Sequence, residues 1–287
     1  MDIDFQYIHT NNIDLHMAVA GPEEGELVVL LHGFPEFWYS WRRQIRVLAQ
    51  AGYRVIAPDQ RGYNKSDKPA GVGAYAINIL KEDIIGLIDH FNRDEAAIVG
   101  HDWGGAVGWH LASINPERVK CFTAINMAHP GVFPEVMMAK PTQILKSAYM
   151  LFFQLPRLPE FIMSSRDYSN LEQMLKVTSK KGTFSDNELG AYNIAWSRHN
   201  ALKSMLNWYR AIPHSIKSID KKSKVEVPVK IIWGSSDQFL SQRLAEESLK
   251  YTHSQRVVWV NGATHWVHQE YPDFVNEQIL QFLDEHK

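Results

Sequence analysis

A single cysteine, Cys121, stands in 287 residues, so no internal disulfide can form and packing alone must hold the fold. No stretch reaches the roughly 18 consecutive apolar residues that a membrane-spanning helix needs. The opening Met1-Asp2-Ile3-Asp4-Phe5 has neither a basic n-region nor an apolar h-region, and the expectation is an unsecreted, cytoplasmic protein. Surplus charge is also scarce. Against 32 Asp and Glu stand 30 Lys and Arg, net −2, which supplies no broad field for nucleic acid or an anionic membrane. No His/Cys cluster has metal-ligand spacing and no glycine-rich phosphate loop is present, so neither metal nor organic cofactor is expected. Repeats and low-complexity tracts are missing too. These absences leave a small neutral substrate, recognised at a local site, as the expected partner; they say nothing of oligomeric state.

The composition is that of a soluble globular protein: 45% hydrophobic, 22% charged and 11% aromatic residues. The length suits one α/β core with a sizeable insertion better than two domains. Phe5 to His9 and Leu15 to Val19 alternate about Asn11-Asn12 and predict an antiparallel hairpin at a sheet edge. Then come short continuous apolar runs, the pattern of strands buried on both faces: Leu27 to Leu31, Arg54 to Ala57, Ala96 to Val99 and Cys121 to Ile125. Helical segments lie between them at about Trp41 to Ala51, Ile77 to His90 and Gly105 to Ile114. This alternation predicts a mostly parallel sheet flanked by helices. Cys121 falls inside a strand run and reads as buried filler. From about residue 130 to 218 the rhythm stops, and a block rich in Met, Tyr, Phe and Pro, with amphipathic patches such as Leu171 to Val177, predicts a helical lid. The alternation resumes with strands at Val229 to Trp233 and Arg256 to Val260 and a closing helix at Pro272 to Glu285. The expected organisation is a core of residues 1–130 and 219–287 with a lid of residues 131–218.

Gly100-His101-Asp102-Trp103-Gly104-Gly105 follows the Ala96 strand and precedes a helix, which is the setting of a nucleophile elbow. The sharp turn demands small residues two places either side of the nucleophile, and Gly100 and Gly104 stand there. A carboxylate nucleophile at Asp102 is already ionised at neutral pH and can attack saturated carbon without a base. Attack leaves an alkyl ester, whose cleavage by water needs a histidine and an acid to orient it. His265, in the loop Gly262-Ala263-Thr264-His265-Trp266 after the last strand, is the candidate base, with His268 as local rival. Asp237, after the preceding strand, is the candidate acid, although it could merely cap the helix near Ser241. The oxyanion hole should combine the Trp103 N–H with that of Phe34, in the loop His32-Gly33-Phe34-Pro35-Glu36, where Pro35 suits a cis bond. His32 is given a supporting hydrogen bond only.

At these residues the chain resembles the soluble epoxide hydrolases among the α/β-hydrolases, over nearly its whole length. The resemblance rests on His32 to Glu36, Trp38-Tyr39-Ser40-Trp41-Arg42, Asp59-Gln60-Arg61-Gly62-Tyr63 with Ser66-Asp67-Lys68-Pro69, and the elbow. It implies the α/β-hydrolase fold with an inserted cap, and conversion of an epoxide to a vicinal diol through an ester on Asp102. It also implies two lid tyrosines that bind and protonate the epoxide oxygen. Tyr149-Met150-Leu151-Phe152-Phe153-Gln154 and Leu206-Asn207-Trp208-Tyr209-Arg210 resemble the segments that carry them, so Tyr149 and Tyr209 receive that role. Trp103, Phe34, Met150 and Phe153 are the candidate substrate contacts, while Tyr168 and Tyr192 read as structural. Two departures are Thr264, where a glycine is common, and the loosely matching Met127-Ala128-His129-Pro130. The rival readings are a haloalkane dehalogenase using the same aspartate and a non-catalytic small-ligand receptor. The first would put an asparagine where Phe34 stands, and the second has no need of Asp102, Asp237 and His265 together.

Overall fold

Strands that alternate apolar side chains between two covered faces must sit inside a layered fold, and β3 (Leu27–Leu31) shows the consequence. Leu27, Val29 and Leu31 join the apolar cluster on one face of the sheet, Val28 and Leu30 that on the other. The computed structural model describes residues 2–139, 143, 146–215, 224–254 and 256–287. Eight strands form one sheet in the order β1-β2-β4-β3-β5-β6-β7-β8. The others are β1 (Asp4–Thr10), β2 (Ile13–Ala20), β4 (Arg54–Pro58), β5 (Ala96–His101), β6 (Val119–Ile125), β7 (Val229–Gly234) and β8 (Val258–Val260). The hairpin β1–β2 is antiparallel and lies at the edge as expected; β2 joins β4 antiparallel, and every later pairing is parallel.

Helices α1 (Arg42–Gln50), α2 (Ile77–His90) and α3 (Trp103–Ile114) connect the first strands. Through Ile45 and Leu48, α1 packs on the Val28/Leu30 face; Ile84 and Leu87 of α2 and Val107 and Leu111 of α3 cover the other. Each such side chain contributes roughly 1.5–3 kcal/mol by leaving water. Cys121 is buried among them, and that burial raises its thiol to about 12. Between β6 and β7 the described residues hold seven helices: α4 (Phe133–Ala139), α5 (Ala148–Phe153), α6 (Leu158–Ser164), α7 (Ser169–Thr178), α8 (Asp186–Trp196), α9 (Ala201–Arg210) and α10 (Ile212–Ser215). Helix α8 starts with a reciprocal capping box, Ser185 with Glu188. Leu171, Leu189, Trp196 and Leu206 of this insertion join the cluster that covers the sheet. Buried tryptophan N–H groups close the seam: Trp196 Nε1 donates to Pro35 O at 2.7 Å and Trp208 Nε1 to Arg61 O at 2.9 Å. The expected boundary at 218/219 lies outside the described residues. Helices α11 (Gln242–Ser248), α12 (Val267–Glu270) and α13 (Pro272–Asp284) complete the chain.

Several limits differ from the sequence expectation by one or two residues, and two of them have a structural reason. Helix α3 begins at Trp103 rather than Gly105, because Asp102, at φ 49° and ψ −124°, makes the whole turn within one residue. The last strand is Val258–Val260 rather than Arg256 to Val260, since β7 offers it a ladder only at Ile232, Trp233 and Gly234. Among the described residues no helix is long and apolar enough to cross a membrane.

Candidate active site

Parallel strands aim their carboxyl ends at one edge of the sheet, and the chemistry-bearing residues gather there. Asp102 follows β5, with its N–H donating to Ile125 O at 3.3 Å, so the elbow is braced on β6. The glycines are dictated by contact: a Cβ at Gly100 would lie 2.4 Å from Gly104 O, and one at Gly104 2.1 Å from Leu31 O. Both backbones must pass that closely for the turn to fit under β3. Asp102 Oδ1 accepts the Phe34 N–H at 2.9 Å, and Oδ2 lies 3.5 Å from His265 Nε2. The Phe34–Pro35 bond is cis.

His265 faces a second carboxylate on its other side, with Nδ1 2.8 Å from Asp237 Oδ2. A carboxylate can only accept, so Nδ1 carries the proton and Nε2 is the nitrogen turned toward Asp102. Asp237 is held on every side: Oδ1 accepts the N–H groups of Phe239 and Leu240 at 2.7 and 2.9 Å, and Oδ2 accepts Asn126 Nδ2 at 2.6 Å. It therefore caps its own turn and orients His265 at once. Asn126 in turn accepts the Gly234 N–H at 3.0 Å, which ties the end of β6 to the end of β7.

Two anions around one imidazole set the titration. Burial alone would lower His265, but the charge of Asp237 and the hydrogen bonds and charge of Asp102 outweigh it and raise the imidazole to about 10. Burial would likewise raise both carboxyls; His265 outweighs it, and Asp102 and Asp237 each fall below the ordinary value. The resting arrangement is thus carboxylate, imidazolium, carboxylate.

Over Asp102 lies an aromatic wall. Trp103 and Tyr209 meet edge to face at 5.1 Å between ring centres, Phe34 and Tyr209 at 5.3 Å, Phe153 and Tyr209 at 4.9 Å, and Tyr149 and Tyr209 at 6.0 Å. Burial first, then the Asp102 charge, raises the Tyr149 hydroxyl, with its hydrogen bond to Tyr209 pulling the other way. Tyr209 is also raised, by burial and by the charges of Tyr149 and Asp102, and opposed by a hydrogen bond from Trp103. Both phenols hold their protons at neutral pH as donors within reach of the Asp102 charge. Met150 is half-buried against the main apolar cluster, one residue from Tyr149. Tyr168 packs against Trp196. Tyr192 is fully buried with its hydroxyl 3.4 Å from Glu36 Oε1.

Glu36 is what the sequence reading passed over. Its fully buried carboxylate accepts from His101 Nδ1 at 2.9 Å and Gln269 Nε2 at 3.1 Å, and His268 Nε2 lies 3.4 Å away. His101 Nε2 sits 2.9 Å from the carbonyl oxygen of His265, so this nitrogen donates and the residue before Asp102 is pinned to His265. Burial would raise Glu36, but His268 and His101 hold it well below the usual range. His268 therefore faces Glu36 rather than Asp102. Phe239, whose ring lies 5.1 Å from that of His265, was also missed. His32 Nε2 accepts the Gln60 N–H at 3.0 Å, a supporting bond. Among the described residues Glu36, His101 and His268 are the one group with donor atoms close enough for a metal ion, within 4.8 Å of one another. Both nitrogens of His101 are already engaged, so the group reads as a hydrogen-bond hub.

Residues 26–272 match the family described as the alpha/beta hydrolase fold. The chain is 48% identical to the AB hydrolase superfamily protein YfhM of Bacillus subtilis over 278 residues, 97% of each. It is 36% identical to epoxide hydrolase 4 of the mouse, covering 97% of this chain and 78% of that protein. The crystal structure of Bacillus megaterium epoxide hydrolase in complex with an inhibitor superposes with a TM-score of 0.88 at 32% identity, covering 97% of this chain and all of that one. The chain belongs to the epoxide hydrolase family of α/β-hydrolases. Its eight-stranded, mostly parallel sheet flanked by helices is the fold of that family.

Proposed function

We propose that the protein hydrolyses an epoxide to a vicinal diol through a covalent ester on Asp102, and that residues 131–218 act as the lid that brings the acid groups to it. The observation that carries this reading is the Asp102 carboxylate placed between a base braced by Asp237 and a pair of protonated phenols. Tyr149 and Tyr209 donate to the epoxide oxygen, whose alkoxide stays attached and needs donors as the ring opens. Asp102 attacks a ring carbon. Phe34, Trp103, Met150 and Phe153 line the bound substrate.

The first step prepares the second. Once Asp102 is esterified its negative charge is gone, and with it part of what keeps His265 protonated. The imidazole then falls toward neutrality and takes a proton from water at Nε2, while Asp237 holds Nδ1–H. Water attacks the ester carbonyl, whose oxygen draws the Phe34 and Trp103 N–H groups, and the diol leaves. The proton that the imidazolium gives up passes to the phenolate left by ring opening, before Nε2 takes the proton of water, so the cycle ends with phenols, imidazolium and Asp102 carboxylate as they began.

The test is incubation with a panel that includes styrene oxide and phenyl glycidyl ether, with diol measured beside released halide from haloalkanes. Diol is expected. A protein that yields no diol across the panel does not have this function.

A further inference from the structure

Helix α6 presents its large apolar residues to solvent. Leu158, Phe161 and Ile162 stand at i, i+3 and i+4, one helix face, and are 46%, 73% and 39% exposed, whereas Pro159 and Met163 are buried. The chain just before it extends the surface, with Leu151 72% and Leu155 44% exposed. Arg210 fixes the two pieces together, donating from Nε to Phe153 O at 2.9 Å, from Nη2 to Leu155 O at 2.7 Å and pairing with Glu160 at 2.6 Å. Together the five side chains expose on the order of 500 Å² of apolar surface, toward the upper end of what a monomer shows in one patch and a size that marks interaction sites.

The charge around this patch selects its partner. Arg157, Arg166 and Lys203 flank it, all exposed, and none is in an ion pair among the described residues; Asp167 and Glu172, bridged by Asn193 Nδ2, are the unpaired acids nearby, since Glu160 is taken by Arg210. The near-neutral net charge hides an uneven distribution. Residues 131–218 hold 11 Lys and Arg against 6 Asp and Glu, net +5, so the rest of the chain carries −7 of the total −2. A second copy seated patch to patch would bring Arg157 and Arg166 against their own duplicates. An anionic lipid surface meets them with opposite charge and takes up the apolar side chains between.

We propose that this face of the lid docks the protein on an anionic lipid membrane, with Leu151, Leu155, Leu158, Phe161 and Ile162 inserted at the interface. The membrane partner runs against the expectation drawn from net charge alone, which averages over lid and core. Leu151 lies two residues after Tyr149 on the same helix, outward where Tyr149 is inward, so docking sets the apolar phase against the outer side of the pocket wall. Docking is independent of the epoxide reading, and its test is read by sedimentation.

The full chain is sedimented with vesicles of phosphatidylcholine alone and of phosphatidylcholine with phosphatidylglycerol, at low and at high salt. Binding is expected to the phosphatidylglycerol vesicles and to weaken with salt. Arg157→Gln and Arg166→Gln should each weaken it roughly fivefold. Leu158→Asp/Phe161→Asp should abolish it while circular dichroism and diol formation from a water-soluble epoxide stay unchanged, which shows that the variant is folded. The proposal is overturned if phosphatidylglycerol vesicles sediment no protein, or if Leu158→Asp/Phe161→Asp still binds them. It is also overturned if ultracentrifugation shows a dimer that this variant dissolves, because a second copy then covers the patch.

Discussion

Changing Asp237 to asparagine should separate the two halves of the reaction. Asp237 Oδ1 accepts two backbone N–H groups and Oδ2 one N–H of Asn126, so the carbonyl oxygen of an asparagine settles at Oδ1, where it keeps two of the three, and its amide nitrogen takes the place of Oδ2. That nitrogen then meets His265 Nδ1 at about the same spacing as the present 2.8 Å contact, but as a donor. Nδ1 must accept, so the imidazole proton moves to Nε2, the nitrogen that has to take a proton from water. A triad carboxylate-to-amide change that traps the wrong tautomer costs about 10⁴-fold in turnover. Here the loss should fall on ester hydrolysis. Ester formation uses the ionised Asp102 and the two phenols, and should keep its rate within about tenfold. Rapid-quench kinetics with intact-protein mass measurement reads both steps: the variant should show one rapid equivalent of mass gain and then stall. If hydrolysis proceeds at near the wild-type rate, or both steps slow equally, Asp237 does not orient His265 as described.

Other outcomes follow from the same geometry. His265→Gln should accumulate the ester to one equivalent per protein, seen as a mass gain of one substrate. Tyr149→Phe and Tyr209→Phe should each slow ester formation by about 10²-fold, leaving stability nearly unchanged, as pre-steady-state kinetics and thermal unfolding would show. For pH, the raised imidazole of His265 contributes stability that is full below its unfolded value near 6.5 and lost as pH rises toward 10. The gap in Tm between wild type and His265→Gln should therefore shrink from pH 6.5 to pH 10; a gap that widens would contradict the charge assignment. Glu36→Ala leaves the buried His101 and His268 without their anion and should destabilise the fold by about 3 kcal/mol in denaturant unfolding.

The legible parts of this site were those tied to short-range pattern. An apolar run ending in Gly100-His101-Asp102 can be read as strand and elbow because burial on both faces and close backbone approach leave few residue types able to stand there. The order of Asp102, Asp237 and His265 follows from strands ending at one edge. Glu36 escaped because nothing local marks a glutamate as buried: its partners His101, Tyr192 and His268 come from three distant parts of the chain, and only the assembled fold brings them to one carboxylate. Asn126 escaped for the same reason, since its two partners, Asp237 and Gly234, stand 111 and 108 residues further along the chain. The short Val258–Val260 strand reflects the ladder that its neighbour offers rather than its own residues. The outward face of α6 has the i, i+3, i+4 spacing of a core helix, and sequence periodicity does not say which way such a face turns.

The central claim is that Asp102 is the nucleophile, and one turnover in ¹⁸O-water with enzyme in excess tests it most directly. The diol should take its new oxygen from the carboxylate and be unlabelled, while the heavy oxygen stays on the peptide containing Asp102. Label appearing in the diol of that first turnover would mean that water attacks the ring and that no ester forms.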